Sequence, residues 1–94
     1  MIAEFDPDKD EVNRSKHGVP LLFGVRIFSD ENLAIIPTLR IGDEEERFKA
    51  IGRIDGKLWT AIHVWRGATV RLISVRRSND VEQRDYDRHS GGSE

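Results

Sequence analysis

The residues of this chain best suited to chemistry are a basic pair near the N-terminus and a group of arginines in the second half. Lys16 and His17 are adjacent, and they are candidates for proton transfer near neutral pH. Arg suits phosphate binding because its planar guanidinium contacts two oxygens at once and keeps its charge. Residues 47–77 hold one acidic side chain, Asp55, and eight basic ones: Arg47, Lys49, Arg53, Lys57, Arg66, Arg71, Arg76 and Arg77. This window predicts a basic face that attracts a phosphate-rich partner.

The charge of the chain is unevenly distributed along its length. The net charge is −2, but residues 1–46 hold 11 acidic and 5 basic side chains, whereas residues 47–94 hold 6 acidic and 10 basic ones. A bipolar molecule with one basic face gives this pattern. An ordinary charged sheet surface gives it as well, because scattered surface arginines are common. Composition leaves both interpretations open.

Length and composition limit the classes of protein that the chain can represent. Its 94 residues form one domain, predicted over residues 1–89, followed by a flexible Ser/Gly-rich tail at 90–94. The absence of Cys excludes disulfides and Cys nucleophiles, and the three His residues lack ligand spacing, so we predict no metal and no cofactor. No apolar run exceeds four residues and the N-terminus does not resemble a signal peptide, so we expect a cytoplasmic protein without membrane association.

The elements that must position the basic residues begin with a short strand and a capped helix. Ile2–Phe5 alternates apolar and polar residues, as a strand does. Asp6, followed by proline, predicts a helix start, and Gly18 predicts the helix end. The apolar face of this helix is little more than Val12.

The next segment, residues 21–28, is mostly apolar. Leu21, Val25 and Phe28 fit the stripe of a helix that packs on a core. Gly24 inside it costs about 1 kcal/mol relative to Ala in a helix. We predict a helix here, with a strand as the alternative.

Strand patterns dominate the middle of the chain. We predict an antiparallel meander of three strands, with Asp55-Gly56 as its first turn. The strands are Arg47–Ile54, residues 58–65 and residues 69–75. Residues 33–36 can add a fourth strand, which Pro37 would end or place at an edge. His63 alternates with apolar neighbours in the second strand, so we expect it to be a satisfied histidine of the sheet.

A charged helix is predicted over residues 80–89. Asn79 and Glu82 are spaced as a capping box at its start, and Val81 and Tyr86 are its packing residues. The whole order predicts an α+β domain, in which an N-terminal strand, two helices and a C-terminal helix accompany a sheet of three to four antiparallel strands. We expect the helices to cover one face of that sheet.

Arg53, Arg71 and Arg76 fall in or beside neighbouring strands of this meander. Arg71 and Arg76 are five positions apart, so a regular strand would direct them to opposite faces. Either a bulge intervenes or one of them lies past the strand end. As exposed arginines, Arg53 and Arg76 are expected to contribute less than about 1 kcal/mol each to stability.

Three runs of the sequence, taken in order, resemble the BrnT family of toxins. The first is FDPDKDEVNRSKHGV, with an aromatic-Asp-Pro start and Lys-His-Gly near its end. The second is ERFKAIGRIDGKLWTAIHVWRGATVRLISVRRS, with Glu-Arg-Phe, Gly-Arg and Arg-Leu-Ile-Ser. The third is EQRDY, which supplies a Glu and a Tyr to the last helix. The similarity covers about residues 4–88, and the chain departs from the family pattern at Gly24, where a helix former is usual.

The resemblance implies a small RelE-like endoribonuclease that inhibits translation by cleaving RNA. It also implies a partner, a dimeric DNA-binding antitoxin similar to BrnA, that joins the toxin in a hetero-oligomer. RNA cleavage without a metal needs a base for the 2′-OH, cations for the phosphate and an acid for the 5′-oxygen. The residues that carry this implied catalytic site are Lys16, His17, Glu46, Arg53, Arg71, Arg76 and Tyr86.

Each of these residues also has a structural interpretation. The Lys16–His17 pair complements a helix dipole, Glu46 lies in a run of acidic turn residues, and Tyr86 can pack its helix on the sheet. A non-catalytic module that binds RNA or an antitoxin is therefore an alternative to the ribonuclease, and a plain structural domain is another. Convergence of Lys16, Arg53 and Arg76 on one phosphate would favour catalysis.

Overall fold

The computed structural model describes residues 1–38 and 45–91. In that part, one sheet consists of β1 (Ile2–Phe5), β2 (Ala34–Thr38), β3 (Arg47–Ile54), β4 (Lys57–Arg66) and β5 (Thr69–Arg77). The helices are α1 (Pro7–His17), a 3₁₀ helix (Leu21–Ser29) and α2 (Asp80–Gly91). The α+β class is confirmed. The predicted tail at 90–94 overlaps the end of α2, and its last three residues lie outside the described part of the chain.

The sheet has the strand order β1-β5-β4-β3-β2, with β1 parallel to β5 and the other neighbours antiparallel. The predicted meander is confirmed, including its first turn, where Asp55 and Gly56 have φ angles of 50° and 84°. Strand β2 joins at the edge, where Pro37 is tolerated. The predicted sheet of up to four antiparallel strands is confirmed in β2 to β5, and β1 adds a fifth, parallel strand. Its pairing of Ile2 with Thr69 joins distant positions, which no local pattern reveals.

Helix α1 begins and ends where predicted, but it packs through a different residue. Asp6 caps its first turn, and Gly18 ends it in the left-handed conformation with a φ of 77°. Val12 is 54% exposed, so the prediction that it supplies the packing contact is wrong. The buried residue is Asn13, whose side-chain amide bonds both the N–H and the C=O of Val75 in β5 at 2.9 Å. Asn13 therefore satisfies the backbone of β5 beyond the point where β1 ends.

Replacing Asn13 with Leu is expected to lower the free energy of unfolding by about 3 kcal/mol, because the backbone groups of the buried Val75 lose their partners. A third bond, to the C=O of Val19, is lost as well. Urea denaturation followed by circular dichroism measures the change. The matched control is Val12→Ala on the same helix, which should stay within about 0.5 kcal/mol of the wild type. Equal stability of the Asn13→Leu variant and the wild type would contradict this role.

The segment after α1 is helical, as predicted, but it has 3₁₀ geometry, and the strand alternative is wrong. Its buried residues are Leu21, Gly24 and Ile27, spaced by three as a 3₁₀ helix requires. The predicted stripe at positions 21, 25 and 28 assumed the longer α-helical period. A Cβ atom at Gly24 would lie 2.6 Å from a methyl group of Val75. Glycine therefore allows the helix to approach β5 closely.

The helices lie on both faces of the sheet, and the prediction that they cover one face is wrong. The 3₁₀ helix packs against a core that includes Ala50 and Ala61. Ile51 faces the other way, because side chains alternate along a strand, and it shares a second cluster with Tyr86 of α2. Val81, the other expected packing residue of α2, is 52% exposed. Tyr86 therefore packs α2 on the face opposite the 3₁₀ helix.

Candidate functional site

The face of the sheet that carries α2 also carries most of the basic residues of the 47–77 window. In β3, Arg47, Lys49 and Arg53 share the side of Ile51, because all four lie at odd positions of one strand. In β4, Thr60 pairs with Ile51, so the even positions of β4, including Arg66, lie on the same side. These four cations reach one surface from two adjacent strands.

A β-bulge determines the orientation of the two arginines in β5. The pairing of β5 with β4 shifts between Ile62 and His63, which leaves Ile73 as an extra residue in β5. The extra residue shifts the alternation by one position, so Arg71 and Arg76 lie on the same face. Of the two possibilities that the sequence left open, the bulge is the correct one.

We use the name basic face for the sheet surface formed by Arg47, Lys49, Arg53, Arg66, Arg71 and Arg76. All six side chains are at least partly exposed. The remaining two basic residues of the window, Lys57 and Arg77, pair with residues of the opposite face. The uneven charge of the sequence therefore corresponds to a basic surface in the fold.

Glu82 of α2 contacts the basic face through a buried carboxylate. Arg76 donates to both of its oxygens, from Nη1 at 2.7 Å and from Nη2 at 2.8 Å. Thr60 donates its hydroxyl at 3.0 Å, and Lys49 Nζ lies 3.4 Å away. The N–H of Asn79 donates as well, which completes the predicted capping box. Glu82 thus ties the start of α2 to three strands of the sheet.

The charge of this cluster is fixed by its hydrogen bonds. Burial by itself would raise the pKa of Glu82, but the bonds from Arg76, Asn79 and Thr60 outweigh it and lower that pKa to about 2. The bonds to Glu82 raise the pKa of Arg76 further, against the effect of burial. Both groups are therefore ionised near neutral pH.

Arg53 contacts α2 at Tyr86, one turn of the helix beyond Glu82. Its guanidinium stacks over the ring of Tyr86 at 5.5 Å from the centroid. Tyr86 is 3% exposed, and its hydroxyl donates to Asp30 at 2.6 Å. The backbone N–H of Arg53 donates to the same Asp30 oxygen at 2.7 Å. Burial and the Asp30 carboxylate raise the pKa of Tyr86, so the geometry favours packing over proton donation for this residue.

Lys16 and His17 line a groove of about 460 Å³ between α1 and β5. The bulged Ile73 and its neighbour Ser74 form the wall of the groove on the β5 side. The last turn of α1 thus lies along the outer edge of the strand that carries Arg71 and Arg76. In this groove, the candidate pair for proton transfer adjoins a strand of the basic face.

The remaining candidates occupy separate positions. Arg71 donates to Glu4 of β1 at 2.6 Å, in an ion pair at the edge of the sheet. Glu46 is exposed just before β3. Neither residue contacts the Glu82 cluster in any recorded bond.

The structure therefore divides the seven candidates into groups. The first group is centred on α2 and consists of Tyr86, which belongs to the helix, and of Arg53 and Arg76, which contact it. The two contacted residues, Glu82 and Tyr86, are one helical turn apart. Lys16 and His17 form the second group in the α1–β5 groove, whereas Arg71 and Glu46 stand apart. Glu82, Lys49 and Asp30 join the first group, and sequence reasoning missed them as site residues. The capping-box spacing identified Glu82 only as a helix cap.

His63 is buried on the face opposite the basic face, among aromatic rings. Phe28, Phe48 and Trp65 surround it, at ring-centroid distances of 5.2, 5.8 and 5.8 Å. Nδ1 lies 3.1 Å from the C=O of Ala61, but Nε2 has no hydrogen-bond partner among residues 1–38 and 45–91. The expectation of a satisfied histidine is therefore only half correct. Burial lowers the pKa of His63, against the bond to Ala61, so the ring stays neutral near pH 7.

Acid is expected to destabilise the fold through His63. The pKa in the folded state lies below the unfolded value of 6.5, so the unfolded chain takes up the proton first and stability falls as the pH drops below about 6.5. The free energy of unfolding, measured by urea denaturation at pH 7 and pH 5, should fall for the wild type and change less in His63→Leu. The exposed His89→Gln variant is the control and should keep the wild-type dependence. An undiminished pH dependence in His63→Leu would assign the effect to another group.

A five-stranded sheet with a basic face, bordered by a groove that holds Lys16 and His17, defines a small domain suited to binding a polyanion. Comparison with protein families agrees with the resemblance seen in the sequence. The model of a family described as "Ribonuclease toxin, BrnT, of type II toxin-antitoxin system" matches residues 5–82. The chain belongs to this family of ribonuclease toxins, and such a system pairs a toxin with an antitoxin. Comparison with curated proteins found no match. No helix in the described residues is long and apolar enough to cross a membrane.

Proposed function

We propose that this chain is a metal-independent endoribonuclease that inhibits translation in the cytoplasm by cleaving RNA on the basic face. A BrnA-like antitoxin, dimeric and DNA-binding, neutralises it within a hetero-oligomer. The observation that carries the proposal is the basic face itself, which combines six cations from three strands. Such a surface attracts a phosphate backbone and makes binding dependent on salt concentration.

The reaction assigned to this face is transfer of the phosphate from the 5′-oxygen to the neighbouring 2′-oxygen. A base removes the 2′-OH proton, the 2′-oxygen bonds to phosphorus, and the bond to the 5′-oxygen breaks as an acid supplies a proton to it. Lys16 and His17 are our candidates for the proton transfers, with Glu46 as a further candidate base. Arg53, Arg71 and Arg76 are our candidates for stabilising the charge that develops on phosphorus oxygens.

Metal independence rests on the ligands available to a cation. Among residues 1–38 and 45–91, no group of three or more His, Asp or Glu side chains could hold a metal ion. Arginine and lysine can supply the charge stabilisation that a metal supplies in other nucleases. A chelator is therefore expected to leave cleavage unchanged.

One observation favours the alternative of a non-catalytic module that binds RNA or the antitoxin. Arg76 is engaged by both oxygens of Glu82, which neutralises much of its charge. Tyr86 is likewise engaged with Asp30 and is buried. In a binding module, these contacts would serve only to hold α2 on the sheet.

Incubating the purified chain with RNA, in the presence and absence of EDTA, separates the two functions. A ribonuclease should produce fragments with 2′,3′-cyclic phosphate and 5′-OH ends in both samples. Cleavage that EDTA abolishes would overturn the metal-free mechanism. RNA binding without cleavage, at confirmed folding, would favour the binding module.

Expression in a bacterium tests the toxin and its partner together. Induction of this chain alone should stop growth and lower translation, and co-expression of the neighbouring reading frame should restore both. The antitoxin should also co-purify with the chain from that operon. Unimpaired growth at confirmed soluble expression would contradict the proposed toxicity.

A further inference from the structure

The starting observation is that one buried carboxylate holds two cations of the basic face. Glu82 has no exposed surface, and the only charges that compensate it in the described structure are those of Arg76 and Lys49. A buried charge without such partners is strongly destabilising. The pair of cations is therefore held in place by the same electrostatic requirement that docks α2.

The two cations keep donors that the carboxylate does not use. Arg76 donates through Nη1 to Glu82 and to the C=O of Arg77, and through Nη2 to Glu82, so its Nε–H and one Nη2 hydrogen have no partner in the described residues. The Lys49 ammonium has one such bond and three hydrogens. The side chains of Arg76 and Lys49 are 29% and 24% exposed. Both can therefore still contact a ligand on the basic face.

We propose that Glu82 is a positioning residue that fixes Arg76 and Lys49 as a paired clamp for the scissile phosphate, and that Lys49 is a further catalytic residue. The proposal rests on the ribonuclease function proposed above. Bidentate bonding restricts rotation of the Arg76 guanidinium, and a donor fixed before the reaction stabilises the transition state without reorganising. Two cations around one carboxylate also leave a net positive charge for the phosphate.

The decisive variant is Glu82→Gln, because positioning and simple electrostatics predict opposite results. Gln keeps the size of the side chain and one carbonyl acceptor, but it removes the negative charge and half of the bidentate contact. If Glu82 only neutralises the face, its loss should tighten RNA binding and speed cleavage. If Glu82 positions the clamp, kcat should fall by about 10²-fold while the Kd for an RNA with a 2′-O-methyl group at the cleavage site stays the same or decreases.

Lys49→Met keeps the proposal testable if Glu82→Gln does not fold. Met preserves most of the length of Lys49, and the bidentate bond between Arg76 and Glu82 remains. We expect kcat to fall by about 10²-fold with a modest decrease in Tm, because Arg76 still compensates the buried carboxylate. Asp87→Asn, at an exposed carboxylate five positions further along α2, is the matched control and should leave kcat unchanged.

The outcomes distinguish this inference from the proposed function. A wild-type chain that does not cleave RNA would overturn both. A wild-type chain that cleaves, together with a folded Glu82→Gln variant of equal or higher kcat, would overturn the positioning role alone. A wild-type kcat in Lys49→Met would overturn the catalytic role of Lys49. A parallel loss of RNA binding and cleavage in Glu82→Gln would also count against positioning.

Discussion

Arg76→Ala is expected to abolish RNA cleavage and to lower the free energy of unfolding by about 3 kcal/mol. The variant leaves the fully buried Glu82 carboxylate with Lys49 as its remaining ionic partner, at 3.4 Å. The expected cost is at the lower end for a broken buried ion pair, because Arg76 itself is 29% exposed. Arg76 is therefore expected to contribute more than the roughly 1 kcal/mol of an exposed surface arginine. Urea denaturation and an RNA cleavage assay measure the two effects.

The pH dependence of stability identifies the cause of the loss. The folded-state pKa of Glu82, about 2, is lower than its ordinary value of 4.5. The wild type therefore gains stability from Glu82 above pH 4.5 and loses it as the pH falls toward 2. That dependence should be weaker in Arg76→Ala. Arg84→Ala, an exposed arginine on the same helix, is the control and should change stability by less than about 0.5 kcal/mol. Wild-type stability in Arg76→Ala would contradict the ion-pair argument.

Arg53→Ala is expected to lower RNA cleavage by about 10²- to 10³-fold while the fold stays intact. Arg53 is exposed, and the contact it loses is its stacking over Tyr86, which contributes about 0.5–1 kcal/mol at an exposed site. Its backbone bond to Asp30 remains in the variant, because the N–H is unaffected. Single-turnover cleavage rates, with circular dichroism as the folding control, measure the result.

The matched control for Arg53→Ala is Lys57→Ala. Both residues are exposed cations of the β3–β4 hairpin, but Lys57 pairs with Ile54 and so belongs to the opposite face. The control should retain wild-type cleavage, because removing one charge far from the bound phosphate has little effect at physiological salt. Equal losses in the two variants would indicate a general charge effect. Wild-type cleavage in Arg53→Ala would remove Arg53 from the site.

Together, the two variants separate the roles that sequence reasoning treated alike. Arg53 and Arg76 both read as surface arginines of a meander, yet one is exposed and the other forms a bidentate pair with a buried acid. The difference comes from contacts with α2. Arg76 bonds Glu82, 6 positions away, and Arg53 stacks on Tyr86, 33 positions away. Arg53→Ala is therefore expected to lose activity but keep its stability, whereas Arg76→Ala is expected to lose both.

The sequence by itself determined the features that depend on neighbouring residues. The cap at Asp6, the end of α1 at Gly18, the turn at Asp55-Gly56 and the capping box of Asn79 with Glu82 are all as predicted. Each of them is a contact within a few positions, so residue types and spacing are enough to specify it. The family resemblance could be recognised in the sequence for the same reason, since it rests on three short runs of neighbouring residues in a fixed order.

Only the tertiary structure decided which surfaces these elements form. The bulge at Ile73 places Arg71 and Arg76 on one face. Helix α2 lies on that face, held by Tyr86 in an apolar cluster and by the contact of Glu82 with Arg76. Asn13 of α1, for which the sequence predicted no role, bonds the free edge of β5 at Val75. Strand register and helix docking depend on pairing between distant segments, and the energy of such pairing is shared among many contacts. The spacing of neighbouring residues does not specify this long-range pairing. The basic face and its buried carboxylate are therefore evident only in the folded chain.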